Sequence, residues 1–215
     1  EVTTLGNHEF DYRAKGLANM MNNAVASGDT LPTMVVCNVD WKAMEAKGFT
    51  EDQTMLKAAF DNLGVKEYVM LEKDGVNIAV TGVFGIDALA CVPNAPLEFK
   101  NPVEAVKETV ANIKANEAAD MIVCVSHSGT WEDEEKSEDE ILAKVKKRSQ
   151  EIMHITDENV KCDVHSAFRV PGEITTSIIA SGAFASKSDL GGLYDSEYFV
   201  AASSVTDGKE PAAIV

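Results

Sequence analysis

Val2 to Leu5 is a short apolar run that stops at Gly6, and Asn7, His8, Glu9, Phe10, Asp11 and Tyr12 follow at once. Beyond them Leu17, Met20 and Met21 fall on one face of a helical pattern. A strand, a polar turn and then a helix deliver functional groups at the C-terminal end of the strand, where open α/β sheets bind and react. The residue types suit that place. His8 can donate a proton or stand as a cation beside a reacting group, and Asp11, three residues on, is near enough to hold its ring. Asn7 offers a neutral amide oxygen, a ligand that leaves a metal ion strongly Lewis acidic.

The balance of charge narrows the partners. Against 35 acidic residues stand 19 basic ones, a net charge of −16. Such a field repels nucleic-acid backbones and argues against a DNA or RNA polymer as partner. An acidic protein that handles a small anion needs local positive charge, and bound metal ions supply it economically. With 215 residues, 45% of them hydrophobic, the chain can bury the core of one domain. Cys37, Cys91, Cys124 and Cys162 form no Cys-x-x-Cys pair, and the apolar surroundings of Cys37 and Cys124 make them small buried hydrophobes. No apolar run reaches the ~20 residues of a membrane helix. The chain opens on Glu1 with its first strand already at the polar turn, so an N-terminal portion is expected to precede it. A signal peptide is neither read nor excluded.

Taken in order, Arg13 to Ala26 reads as an amphipathic helix stopping near Gly28, and Leu31 to Val39 as a second strand, apolar enough to be buried on both faces. Trp41 to Gly64 reads as irregular, with helical turns at most around Met55 to Leu63. Tyr68 to Leu71 and Val76 to Phe84 form a hairpin through Asp74-Gly75. A proline-bearing loop follows, and then a helix capped by Asn101, with Pro102 at its first position, running to about Asn116. Ala118 to Ser126 is a third buried strand that delivers His127-Ser128-Gly129 at its tip. The acidic stretch Trp131 to Glu140 reads as a solvated loop entering a helix that continues through Lys147, with a metal-binding acidic patch as the lesser reading. Strands near Cys162, Thr175 and Tyr198 complete an α/β domain with a strand-rich final third.

Of the four histidines, His8, His127 and His165 each follow a strand, at tips where neighbouring strands of one sheet would converge. His154 has no polar companion at ligand spacing and is read as structural. Three strand-end imidazoles, one of them inside Gly-Asn-His-Glu-x-Asp, point to a shared site.

Gly6-Asn7-His8-Glu9-Phe10-Asp11-Tyr12 resembles the signature of the calcineurin-like metallophosphoesterases, in the branch of 5′-nucleotidases and UDP-sugar or 2′,3′-cyclic-nucleotide hydrolases. Val36-Cys37-Asn38-Val39, Gly82-Val83-Phe84-Gly85, Phe99 to Ala105, Val125-Ser126-His127-Ser128-Gly129 and Ile179 to Phe184 match in the family's order. The resemblance implies a sandwich of two mixed β-sheets flanked by helices, its N-terminal βαβ portion missing. Residues 1–215 would then be the catalytic domain without the C-terminal nucleotide-specificity domain. It also implies two divalent metal ions (Mn, Zn, Fe or Co) and hydrolysis of a nucleotide or sugar-nucleotide phosphoester by metal-activated water. Asn7, His127 and His165 match metal ligands; His8, with Asp11 as its partner, matches the histidine that contacts the phosphate or protonates the leaving group. The branch is commonly exported, so an extracellular, cell-wall or periplasmic place is expected.

The departures matter too. Asp-x-His and Gly-Asp, the family's first two metal motifs, would lie upstream of Glu1. The last motif is present only as Cys162-Asp163-Val164-His165-Ser166, so either residues carrying a second histidine are missing there or Asp163 takes their place. Arg13 stands where the family commonly has glycine. On these grounds the polypeptide alone is expected to bind metal weakly and turn over little substrate. The rival reading is a degenerate, non-catalytic domain that uses the same fold for binding. A Rossmann-type nucleotide binder is set aside, since no Gly-x-Gly-x-x-Gly follows a strand.

Overall fold

The structure is a computed structural model that describes residues 1–129, 136, 138, 141–142, 160–166 and 174–183. The strand near Tyr198, the helix continuation to Lys147 and His154 lie outside the described residues. Strands β1 (Val2–Thr3) and β2 (Thr33–Met34) pair in parallel. The larger sheet holds β3 (Tyr68–Lys73), β4 (Val76–Phe84), β5 (Met121–Gly129), β6 (Val160–Ser166) and β7 (Ile174–Ala183) in the order β3-β4-β5-β7-β6. It is mixed: β4 and β5 are parallel, and β7 runs antiparallel between β5 and β6. Hence β4, β5 and β6 all point their C-terminal ends at one edge.

Local chemistry explains most elements. Helix α1 (Arg13–Ser27) ends at Gly28, which takes the left-handed conformation (φ 74°) that closes a helix without steric cost. The β3–β4 hairpin turns on Asp74 and Gly75, both at positive φ (51° and 81°), as a tight two-residue turn requires. Helix α5 (Pro102–Asn116) starts where the Asn101 side chain accepts the amides of Val103 and Glu104. Its buried residues Ala105, Val106, Val110 and Ile113 pack with Ala79, Val83, Ile122 and Cys124 of β4 and β5, while Ile78, Val80 and Met121 form a separate cluster with Val123 and Val125. Both faces of these strands are therefore covered, and their sequences are nearly all apolar.

Three expectations need correction. Residues between Trp41 and Gly64 are helical, as α2 (Trp41–Lys47) and α3 (Glu51–Leu63). The Asp40 side chain caps the first, and Thr50 and Gln53 form a reciprocal capping box on the second. Met44, Leu56, Ala59 and Phe60 bury one side of the pair, so the charged residues that suggest a loop lie on its wet side. The stretch expected as a long second strand pairs with β1 only at Thr33–Met34. Further along, Val36 N–H goes to Lys66 and Cys37 N–H to Gly82, so the segment links the small sheet to β4. His8 thus descends from a different sheet than His127. Finally, Glu138, expected in a solvated stretch, is buried: it accepts the Ile86 amide at the start of the short helix α4 (Ile86–Ala90), which lies within the stretch expected as a loop.

Candidate functional site

His127 lies near the end of β5, in register with Phe84, the last residue of β4. The Gly85 N–H donates to the His127 carbonyl at 2.8 Å, which holds the two strand ends together. The imidazole lies parallel to the Phe84 ring, within 1°, with centroids 6.4 Å apart. It is 5% exposed. Burial, and then the charge of His8, push its pKa down to about 4, so it is neutral at neutral pH and keeps a lone pair for a ligand.

The turn after β1 meets this ring. Asn7–Phe10 forms one turn of 3-10 helix, and Asn7 Oδ1 lies 2.7 Å from His127 Nε2. Phe10 anchors the turn from below, its ring tilted against Phe84 and edge-on to Phe99. Gly6 permits the approach. A Cβ there would lie 2.8 Å from Glu9 Oε2 and 3.2 Å from His127 Nε2. His8 lies on the open side of the turn, its Nδ1 3.0 Å from Asp11 Oδ2, both side chains more than half exposed.

The structure thus brings Asn7 to His127 and His8 to Asp11. For His165 it gives the strand register: His165 pairs with Ile178 of β7, which pairs with Val125 of β5. It is the penultimate residue of a strand parallel to β5, at the edge where His127 lies.

The donor set can be tested for a metal. With Asn7 Oδ1 as acceptor, the ring proton sits on His127 Nε2. A cation in that proton's place would take one oxygen and one neutral nitrogen lone pair, a set that fits Mn, Zn, Fe or Co. Among the described residues no group of three or more His, Cys, Asp or Glu side chains completes a shell.

Several motif residues serve packing. Asn38 is fully buried; its amide donates to the Phe84 carbonyl at 2.7 Å and accepts the Phe84 N–H at 3.0 Å. Ser126 and Ser128, also buried, bond to each other at 2.9 Å. A Cβ on Gly82 would meet the Val35 carbonyl oxygen and Thr4 Oγ1, so this glycine lets β4 lie against the opening strands. Sequence reasoning overlooked Gly6, Glu9, Phe10 and Phe84 as parts of the site. The position of Gly6 directly before Asn7 is the available signal, since the absence of a side chain eases such an approach.

No protein-family model matches the chain. Curated relatives do. A 5′-nucleotidase-related protein of Glossina morsitans morsitans is 30% identical over 130 residues, 60% of this chain and 20% of the relative. The trifunctional nucleotide phosphoesterase protein YfkN of Bacillus subtilis is 27% identical over 141 residues, 60% of this chain and 10% of that one. Protein UshA of Yersinia enterocolitica is 26% identical over 137 residues, 62% of this chain and 21% of its own length. Over about three-fifths of its length the chain is thus similar to proteins named as 5′-nucleotidase-related or as nucleotide phosphoesterase. It spans about a fifth or less of the length of these relatives. The fold class is α/β, as the alternation of strands and helices implied. Among the described residues no helix is long and apolar enough to cross a membrane.

Proposed function

We propose that residues 1–215 form part of the catalytic domain of a 5′-nucleotidase-like hydrolase that cleaves a phosphoester of a nucleotide or sugar nucleotide. Asn7, His127 and His165 would hold a divalent cation, one of the two that the resemblance implies. When bound, these ions supply Lewis acidity and lower the pKa of a water. The chain's own groups divide the rest. His8 lies open to solvent, where it contacts the phosphate or protonates the departing alkoxide, and Asp11 fixes its ring for either task. His127 stays neutral and buried, and the Phe84 ring beside it excludes water from one face. An extracellular, cell-wall or periplasmic setting belongs to the same reading.

The contact between Asn7 Oδ1 and His127 Nε2 carries this reading, because the same turn presents the His8–Asp11 pair. The named activities of the relatives support the substrate class. The test is a titration of the chain with Co(II), followed by its visible absorption, alongside AMP hydrolysis with added Mn(II). Binding weakened at least tenfold in His127→Ala, and any hydrolysis lost in His8→Ala, is the expected result. Equal Co(II) binding by the wild-type chain and His127→Ala would overturn the reading.

A further inference from the structure

We infer that Glu9 is a positioning residue of this site: its carboxylate closes the Asn7–Phe10 turn on the Gly6 amide and so holds the Asn7 oxygen against His127. The consequence for metal binding rests on the function proposed above; the positioning itself does not.

A single turn of helix is unstable alone, since fixing its dihedrals yields few hydrogen bonds. Within this turn the Asp11 N–H reaches the His8 carbonyl at 3.1 Å. Further hold comes from its ends. At the C-terminal end Phe10 is sunk among Phe84 and Phe99. At the other end Gly6 is buried in an extended conformation (φ −117°, ψ 174°), and its N–H donates to Glu9 Oε2 at 2.7 Å. That is a short, charge-assisted bond to a buried donor, and losing it would leave the donor unsatisfied.

The geometry links this bond to the metal ligands. Glu9 Oε2 and the Nε2 and Cε1 atoms of His127 converge on the one point that a Gly6 Cβ would occupy. Asn7 lies between Gly6 and Glu9 in sequence and reaches the same His127 nitrogen. If the Gly6–Glu9 clasp opens, the backbone carrying Asn7 loses its anchor on the β1 side, and the amide oxygen moves off the ring. Outer groups of this kind orient ligands, and their loss typically weakens metal affinity about 10–100-fold.

The test compares Glu9→Gln, which keeps an oxygen acceptor without the charge, with Glu9→Ala, which removes both. In the metal-free chain, nitrogen NMR of the His127 ring and the Asn7 side-chain amide reads their contact directly. Glu9→Ala is expected to shift both signals away from the wild-type positions and to weaken Co(II) binding at least tenfold. Glu9→Gln should restore the NMR signature and most of the affinity. Wild-type signals in Glu9→Ala, or equal damage in both variants, would overturn the inference. Should Glu9→Ala not fold, Glu9→Asp replaces it: its carboxylate is one methylene short, the same shift is expected, and an unchanged His127 signal overturns the inference. A shifted signal in a chain that binds no Co(II) would leave the positioning role standing and sink the hydrolase reading.

Discussion

Asn7 Oδ1 and His127 Nε2 are 2.7 Å apart although 120 positions separate them in the chain. One arrives from the turn after β1 and the other from the end of β5, and a buried imidazole is the result.

That burial gives a pH dependence with a definite sign. The imidazole is pushed from 6.5 down to about 4, first by burial and then by His8. Between those values the unfolded chain takes up a proton that the folded chain refuses. The stability contributed is therefore present above pH 6.5 and lost as pH falls towards 4. By pH 4 the loss from this one group is about 3 kcal/mol. Urea midpoints at pH 7 and pH 4.5 for the wild type and His127→Gln measure it, and the variant's acid sensitivity should be smaller.

Asn38 bonds both backbone groups of Phe84 inside the core. Asn38→Leu leaves a buried N–H and a buried C=O unsatisfied, a cost of about 2–4 kcal/mol. Because Phe84 supports the His127 ring, the Co(II) affinity of the surviving folded fraction should fall as well. Denaturant unfolding reads the first effect and metal titration the second.

Arg13 has φ 59°, in the left-handed region where a side chain is strained. The resemblance places glycine at this position in the family, and the backbone supplies a reason. Arg13→Gly should stabilise the chain by about 1 kcal/mol, a rise of about 2–4 °C in Tm. Scanning calorimetry decides it, and an unchanged or lower Tm would refute the assignment of strain.

Gly6→Ala tests the close approach itself. Its backbone is extended, so only space opposes the methyl, which would press on Glu9 and His127. Both neighbours are side chains that can yield, so the expected cost in stability is modest, about 1–3 kcal/mol. Metal affinity should fall by at least tenfold, because yielding moves the ligands.

What could be read directly from the chain is whatever neighbouring residues decide among themselves. Gly28 ends α1, Asp74-Gly75 turns the hairpin, and Asn101-Pro102 begins α5, each through backbone preferences that act within a few residues. The His8–Asp11 pair belongs here too, since its spacing of three sets the contact. The capping boundaries at Asp40 and Thr50 were equally local, but the surrounding charges concealed them.

The tertiary structure decided what depends on distant partners. Which neighbours receive the amides of Val36 and Cys37 shortened β2 and turned the rest of that segment into a bridge to β4. Glu138 is buried because the amide of Ile86 lies within its reach, and β7 lies between β5 and β6 because both chose it as a partner. The meeting of Asn7 with His127 is of the same kind. Packing over long sequence separations brings an amide to an imidazole, and no local preference encodes that distance.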